Sequence, residues 1–403
     1  MNILMICNKP PYPPKDGGAL AILSMIEGLL IQGHQLKVLA VNDTKYHANL
    51  AGLPEDFRRK TGLELIAVDL RINYLQALSH LLTGKSYHVS RFLSASMSSR
   101  LRELLKEPFD IVQFETAYPG VYLPLIRECT SAVVVLRAHN LEHLIWQRLA
   151  AGKRNPLIRK VLLRMTKSLK AFELDLFGKV DGIAAITPQD AAMISLTACR
   201  PRIETIPFGI KPDLYNTDNQ YETSNSLFHI GSMDWLPNQE GVRWLLDKVW
   251  PLVIEKQPDA KLHLAGKNMP EWLQLRKQQG VIIEGEVDQA WNFMNRHAVM
   301  LVPLFSGSGV RIKIIEAMYA GRTVISTSVG AEGIACTSGA HLFIADTVEG
   351  FADTILYCLD HPLERKRVGQ AAKALIEKEY RLDVVSARMG NFYRLLLSEA
   401  EAD

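Results

Sequence analysis

The sequence predicts an α/β protein made of two doubly wound domains, each a parallel sheet covered by helices, facing a central cleft. Two observations lead there. A chain of 403 residues exceeds the size at which one hydrophobic core stops growing, so two domains of about 150–200 residues each are expected. Short runs rich in Val, Ile and Leu alternate with longer amphipathic segments along the whole chain. That is the pattern of parallel strands joined by crossover helices.

Taken in order, the strand candidates of the first half are NILMIC, QLKVLAV, LELIAV, DIVQF, AVVVLRA and GIAAIT. Those of the second half are LFHIG, AKLHLAG, GVIIEG, AVMLVPL, TVIST and HLFIA. Between the halves, after RIETIPFGI, the polar segment KPDLYNTDNQYETSNS has little to bury and reads as a linker, with the break near residues 205–226. The expected domains are 1–205, 206–380 and a last segment, 381–403, whose helix carries the apolar stripe Val385, Met389, Phe392, Tyr393 and Leu396. That stripe has to be buried, and the first domain is one place for it. In such sheets ligands bind beyond the carboxyl ends of the strands, which makes the cleft between the domains the default site.

Composition narrows the function classes. Forty-six basic against forty-three acidic residues give +3, too little to argue for a nucleic-acid partner. Five scattered cysteines without CxxC spacing argue against a disulfide frame or a zinc site and fit a cytoplasmic protein. The start, MNILMICNKPPYPP, reads as a first strand and not as a leader. No apolar run reaches the roughly 18 residues of a membrane span.

The stretch SGSGVRIKIIEAMYAG, residues 306–321, raises a chemical question. Gly307 and Gly309 permit close backbone approach, with Val310 expected to begin a helix, and a helix amino end welcomes anions. Yet Arg311 and Lys313 stand at that end, as if an anion were to be met there. Ile314, Ile315, Ala317 and Met318 form the face for the sheet, and Gly321 is a helix stop. Glu316 can accept hydrogen bonds from two vicinal hydroxyls, as acidic residues grip ribose. A nucleoside diphosphate would satisfy the whole stretch, whereas the plainer reading makes Lys313 and Glu316 a surface i,i+3 pair.

The run VPLFSGSGVRIKIIEAMYAGRTVISTSVGAEGI resembles the donor-binding region of the GT-B glycosyltransferases, specifically the retaining group called family 4. Glu316, Ala317, Met318 and Gly321 match that family's E-A-M-A-x-G core. The resemblance extends to PPYPPKDGGALAILSMIEGLLIQGHQLKVLA, where Gly17 and Gly18 would present amides to the diphosphate or the acceptor. It also covers VVVLRAHNLEH, where His139 matches a histidine beside the reacting sugar. Asn140 and Glu142 follow it as possible caps of the next helix. The resemblance implies two Rossmann-like domains and a metal-independent transfer, with retention, from a nucleotide-diphosphate sugar to a glycan or lipid-linked acceptor. His139, Arg311 and Lys313 would act at the reaction, and Gly17, Gly18, Gly231, Ser308, Gly309, Val310 and Glu316 would hold the donor, with no metal ligand and no further cofactor.

This chain departs from the family pattern twice. Ser308 stands where many members have a second glutamate, and HIGSMDWLPNQEG lacks the basic pair that usually clamps the diphosphate. Arg311 and Lys313 are therefore expected to replace that pair. Gly231 ends a strand where a base or phosphate could approach, and Trp235 would either line the cleft or pack under the next helix. A sugar-nucleotide epimerase and a non-catalytic sugar-nucleotide-binding protein remain alternatives.

From Ile145 to Phe172 the chain has eight basic residues and no acidic one, interleaved with Leu157, Ile158, Val161, Leu162, Leu163, Met165 and Leu169. Such a helix can lie on an anionic membrane surface or be a crossover helix with a solvated basic face.

Overall fold

The protein is described by a computed structural model covering residues 1–403 except 15, 154, 198–200, 216–225, 307, 308 and 403, and without the side chains of 74, 82 and 214. It forms two compact units, Met1–Gly209 with Leu382–Asp403, and Ile210–Arg381.

The first unit holds β1 (Asn2–Cys7), β2 (Gln35–Asn42), β3 (Glu64–Ala67), β4 (Ile111–Glu115), β5 (Val133–Ala138), β6 (Gly182–Ala185) and β7 (Arg202–Thr205). They run parallel in the order β3-β2-β1-β4-β5-β6-β7. The second unit holds β8 (Ser226–Ile230), β9 (Lys261–Ala265), β10 (Val281–Gly285), β11 (Val299–Val302), β12 (Thr323–Ser326) and β13 (Phe343–Ile344). These are also parallel, in the order β10-β9-β8-β11-β12-β13. Among the flanking helices are α1 (Gly17–Ile31), α2 (Tyr74–Thr83), α3 (Glu142–Ala151), α4 (Pro156–Phe177), α5 (Leu236–Trp244), α6 (Ile312–Tyr319) and α7 (Leu382–Ala400).

Each sheet is a doubly wound α/β arrangement, and each reverses its strand order once, at β1/β4 and at β8/β11. Those reversals are where such sheets open a crevice beyond their carboxyl ends. Every strand predicted from an apolar run is present. The additional strand β7 was not predicted, because Arg-Ile-Glu-Thr lies at the sheet edge with half its residues exposed and so has no apolar run to announce it.

Strand β1 shows how alternation builds two layers of core. Leu4 and Ile6 point into one cluster with Phe114, Leu136 and Ile183. Ile3, Met5 and Cys7 point into the other, with Val135, Met389, Phe392 and Tyr393, as a period of two requires. Helix α7 covers this second face, although it comes last in the chain. Its Leu396 lies so close to Gly182 that a Cβ there would collide with it. The second unit gathers Leu227, Leu264, Leu301, Ile325 and the fully buried Trp250 into a core of its own. No helix among the described residues is long and apolar enough to cross a membrane.

Candidate functional site

In the first unit the polar groups gather at the carboxyl ends of β4 and β5. Glu115 closes β4 and is fully buried, and His139 follows β5 with 7% exposure. Their side chains meet with His139 Nε2 2.5 Å from Glu115 Oε2. Arg137, 1% exposed, places Nη1 3.4 Å from the same carboxylate and 3.2 Å from His139 Nε2. Gln113 Nε2 donates to Glu115 Oε1 at 2.6 Å, and Tyr393 Oη on α7 donates to Gln113 Oε1. Burial pushes the Glu115 carboxyl up, but Arg137, His139 and Gln113 outweigh that and hold it below the usual range. Burial lowers His139 despite the carboxylate beside it. A neutral imidazole donating Nε2–H to Glu115 leaves Nδ1 as its acceptor atom.

Directly after Glu115, the β-branched Thr116 has φ 76°. Left-handed backbone is an outlier for such a residue and is tolerated where the surroundings over-determine it, commonly at sites. Its amide donates to the Arg137 carbonyl at 3.1 Å, which locks the end of β4 to β5.

Gly17 and Gly18 are not a free loop. They are the first two residues of α1, whose N-cap Asp16 accepts from the Ala19 amide at 2.8 Å. Lys9, in the loop after β1, pairs with Asp16 at 2.7 Å and lies against Gly18, whose Cβ would sit 2.8 Å from the ammonium. Its charge bears on both His139 and Glu142. Glu142 does not cap α3; the N-cap is Leu141. Capping falls to Glu173 of α4, which accepts from the amides of Glu142 and His143 at 2.9 and 2.8 Å. The Glu142 carboxylate instead receives Tyr118 Oη at 2.9 Å, and burial together with the Glu173 charge raises it to about 7.

In the second unit the corresponding crevice lies at β8 and β11. Gly231 follows β8 and donates its amide to the Ala265 carbonyl. Packing holds it there from two sides. A Cβ on Gly231 would come within 2.6 Å of Asn238 Nδ2, and one on Gly266 would collide with the Gly231 carbonyl. Gly309, in the loop after β11, has φ 80°, a left-handed conformation suited to glycine. Ser308 lies outside the described residues.

Helix α6 begins at Ile312, two residues later than the sequence suggests, with Val310 in the loop and Arg311 as an extended N-cap. Arg311 turns back, donating Nη1–H to the Gly309 carbonyl at 2.6 Å, with its guanidinium 5.2 Å over the Trp235 ring. Trp235 is itself the N-cap of α5 and is 37% exposed. Lys313 Nζ lies 2.8 Å from Glu316 Oε2, so the i,i+3 pair is present. Glu316 is 7% exposed and its Oε1 accepts from Tyr215 Oη at 2.9 Å. Burial and this carboxylate push the Tyr215 phenol upward, so it remains a donor. Tyr215 packs edge-on against Trp291 and Tyr319, with ring centroids 4.6 and 5.8 Å away.

The structure thus brings Arg311, Lys313, Gly309, Val310 and Glu316 onto one loop and helix, and places His139 on a separate sheet with Gly17 and Gly18 on α1. Glu115, Arg137, Gln113, Lys9 and Tyr215 were missed by sequence reasoning. A carboxylate closing the apolar run IVQFE and an arginine inside VVVLRA were signals available in the sequence for two of them.

Residues 224–361 match the family model described as glycosyl transferases group 1. The chain is 26% identical over 392 residues, 94% of its length and 96% of the relative's, to an uncharacterized 44.6 kDa protein in the cps region of Klebsiella pneumoniae. Among solved structures it resembles sucrose-phosphate synthase from Thermosynechococcus elongatus (TM-score 0.70, 14% identity, 99% of this chain and 100% of that one). It also resembles Anabaena HepE in complex with UDP-glucose (TM-score 0.62, 12% identity, 97% and 98%).

Proposed function

We propose that this chain, which belongs to the group 1 glycosyl transferases and has the GT-B fold, moves a sugar from a UDP-sugar to a hydroxyl of a glycan or lipid-linked acceptor, with retention. The observation that carries the reading is the buried Glu316 carboxylate on α6, at the strand-order reversal of the second unit and within the matched region. The UDP-glucose in the HepE complex supports the choice of donor, and the cps-region relative supports a role in polysaccharide assembly.

On this reading Glu316 accepts hydrogen bonds from the ribose hydroxyls, with Tyr215 fixing one oxygen and Lys313 neutralising the other. The diphosphate lies along the loop at Ser308, Gly309 and Val310, where Arg311 and Lys313 supply the positive charge that lets it leave. Gly231 and Trp235 border that crevice. In the first unit, which takes the acceptor, Glu115 orients His139 so that Nδ1 receives a sugar hydroxyl, and the first amides of α1 at Gly17 and Gly18 face the same end of the sheet. The protein works at the cytoplasmic side of a membrane, in peripheral contact with it.

The test is a thermal-shift panel of nucleotide sugars followed by product analysis with and without acceptor. A UDP-sugar at about 100 times its Kd should stabilise by about 2.7 kcal/mol. Equal shifts with all bases, or none, would overturn the donor assignment. Conversion of free donor without a transferred product would make the chain an epimerase.

A further inference from the structure

Helices α2 and α4 of the first unit carry a surface that the transfer reaction does not explain. Large apolar side chains stand in solvent on both: Leu75 at 81% and Leu78 at 57% on α2, Leu157 at 74%, Ile158 at 50% and Val161 at 45% on α4. Isolated exposed leucines are ordinary, but a group of this size on two adjoining helices marks an interaction surface. Arg164 Nε on α4 donates to the Leu81 carbonyl of α2 at 3.1 Å, so the two helices are joined.

Charge supplies the second half of the argument. No acidic residue occurs from 70 to 102, nor from 143 to 172, the two stretches that contribute α2 and α4. A cavity of about 410 Å³ lies between these helices, lined by His80, Lys85, Tyr87, Arg164, Lys167 and Ser168 among others, and none of its lining residues is acidic. Lys85, Arg164 and Lys167 are exposed and, among the described residues, none forms an ion pair with a carboxylate. Arg164, Lys167 and Ser168 are three and four residues apart, hence on one face of α4.

We propose that this cavity binds the phosphate of an anionic lipid headgroup, while the exposed Leu157 and Val161, on the same face of α4 as Arg164 and Ser168 and one to two turns before Arg164, enter the bilayer. Arginine, lysine and hydroxyl donors around a concave opening suit phosphate oxygens. A soluble phosphate ester would share that chemistry. The exposed Leu157 and Val161 on the cavity face of α4 give nothing to a soluble ligand but gain by burial in lipid, which selects the lipid as the source. This proposal deepens the membrane-contact part of the function above and rests on it; it does not require a particular donor.

The experiment is flotation of the full chain with vesicles of phosphatidylcholine alone or with about one third phosphatidylglycerol, at fixed ionic strength because exposed charges are screened. Binding at least about tenfold tighter to the anionic vesicles is expected. The double variant Lys85→Glu, Lys167→Glu should lose most of that preference. Arg159→Glu with Lys160→Glu, which reverses the same number of charges on α4 outside the cavity lining, should lose clearly less. Far-ultraviolet circular dichroism confirms folding of each variant. Equal binding to both vesicle types, or equal losses in the two double variants, would overturn the site. Glycerol 1-phosphate binding without vesicles as tightly as the vesicles bind would overturn the lipid as its source. UDP-sugar turnover measured on the same preparations separates the two readings: its absence with vesicle binding intact speaks against the transferase assignment only.

Discussion

The polar groups at the end of the first sheet and those at the end of the second are built on opposite plans. Glu115, Arg137, Gln113 and His139 sit on or directly after strands, are at most 7% exposed, and each engages another of the set. Arg311 and Lys313 sit on a loop end and an eight-residue helix, and Lys313 remains 43% exposed. The first set is organised before any ligand arrives, at the expense of desolvating two ionised groups. The second leaves Lys313 near solvent, where a ligand can recruit it, and holds the Arg311 guanidinium against the Gly309 carbonyl and the Trp235 ring. Substitutions should therefore register mainly as lost stability in the first set and as lost affinity in the second.

The largest effect expected is from Arg137→Ala, which leaves the Glu115 charge buried without its cation and should cost about 3–5 kcal/mol in urea denaturation. A cost below about 1 kcal/mol would break the comparison. Next is Glu142→Gln. Because Glu142 is raised to about 7 in the folded protein against about 4.3 unfolded, the native state holds the extra proton between those values. Stability then falls as pH rises through that window. At pH 8 the glutamine variant should be more stable than the parent by up to about 3 kcal/mol, and the gain should vanish near pH 4. A pH-independent difference would place the effect elsewhere.

In the second unit the sign of the contrast reverses. Glu316→Gln should weaken UDP binding by about 1.5–3 kcal/mol, roughly tenfold or more by calorimetry, while the ligand-free denaturation midpoint moves little. Unchanged UDP affinity would remove the ribose role. The smallest effect expected is from Tyr215→Phe, which deletes one hydrogen bond to Glu316 and should cost about 1 kcal/mol. If that loss appears only in ligand-free stability and not in UDP affinity, the tyrosine supports the helix rather than the donor.

Much of the fold was legible because strands buried on both faces leave continuous apolar runs, as in NILMIC and AVVVLRA. Strand β7 escaped because Arg-Ile-Glu-Thr alternates exposed and half-buried positions and so leaves no continuous apolar run. On α6 the sheet-facing residues Ile314, Ile315, Ala317 and Met318 were readable from spacing, and all are fully buried. Its starting residue was not, since Arg311 caps the helix in an extended conformation and nothing in its residue type says so. The partners were the least accessible part. Tyr215 and Glu316 are 101 positions apart, and Tyr393 and Gln113 are 280 apart. Only the folded chain brings such pairs together, and no local propensity encodes them.

The last of those pairs has a consequence for how the protein is made. The second unit, Ile210–Arg381, is inserted within the first, because α7 returns to the opening sheet after it. A ribosome emitting the chain from its amino end completes the second unit while one face of the first still lacks Val385, Met389, Phe392 and Tyr393. Folding of the inserted unit can therefore run ahead of its host, and the first unit acquires its finished core, along with the phenol that holds Gln113, only after the inserted unit has been made.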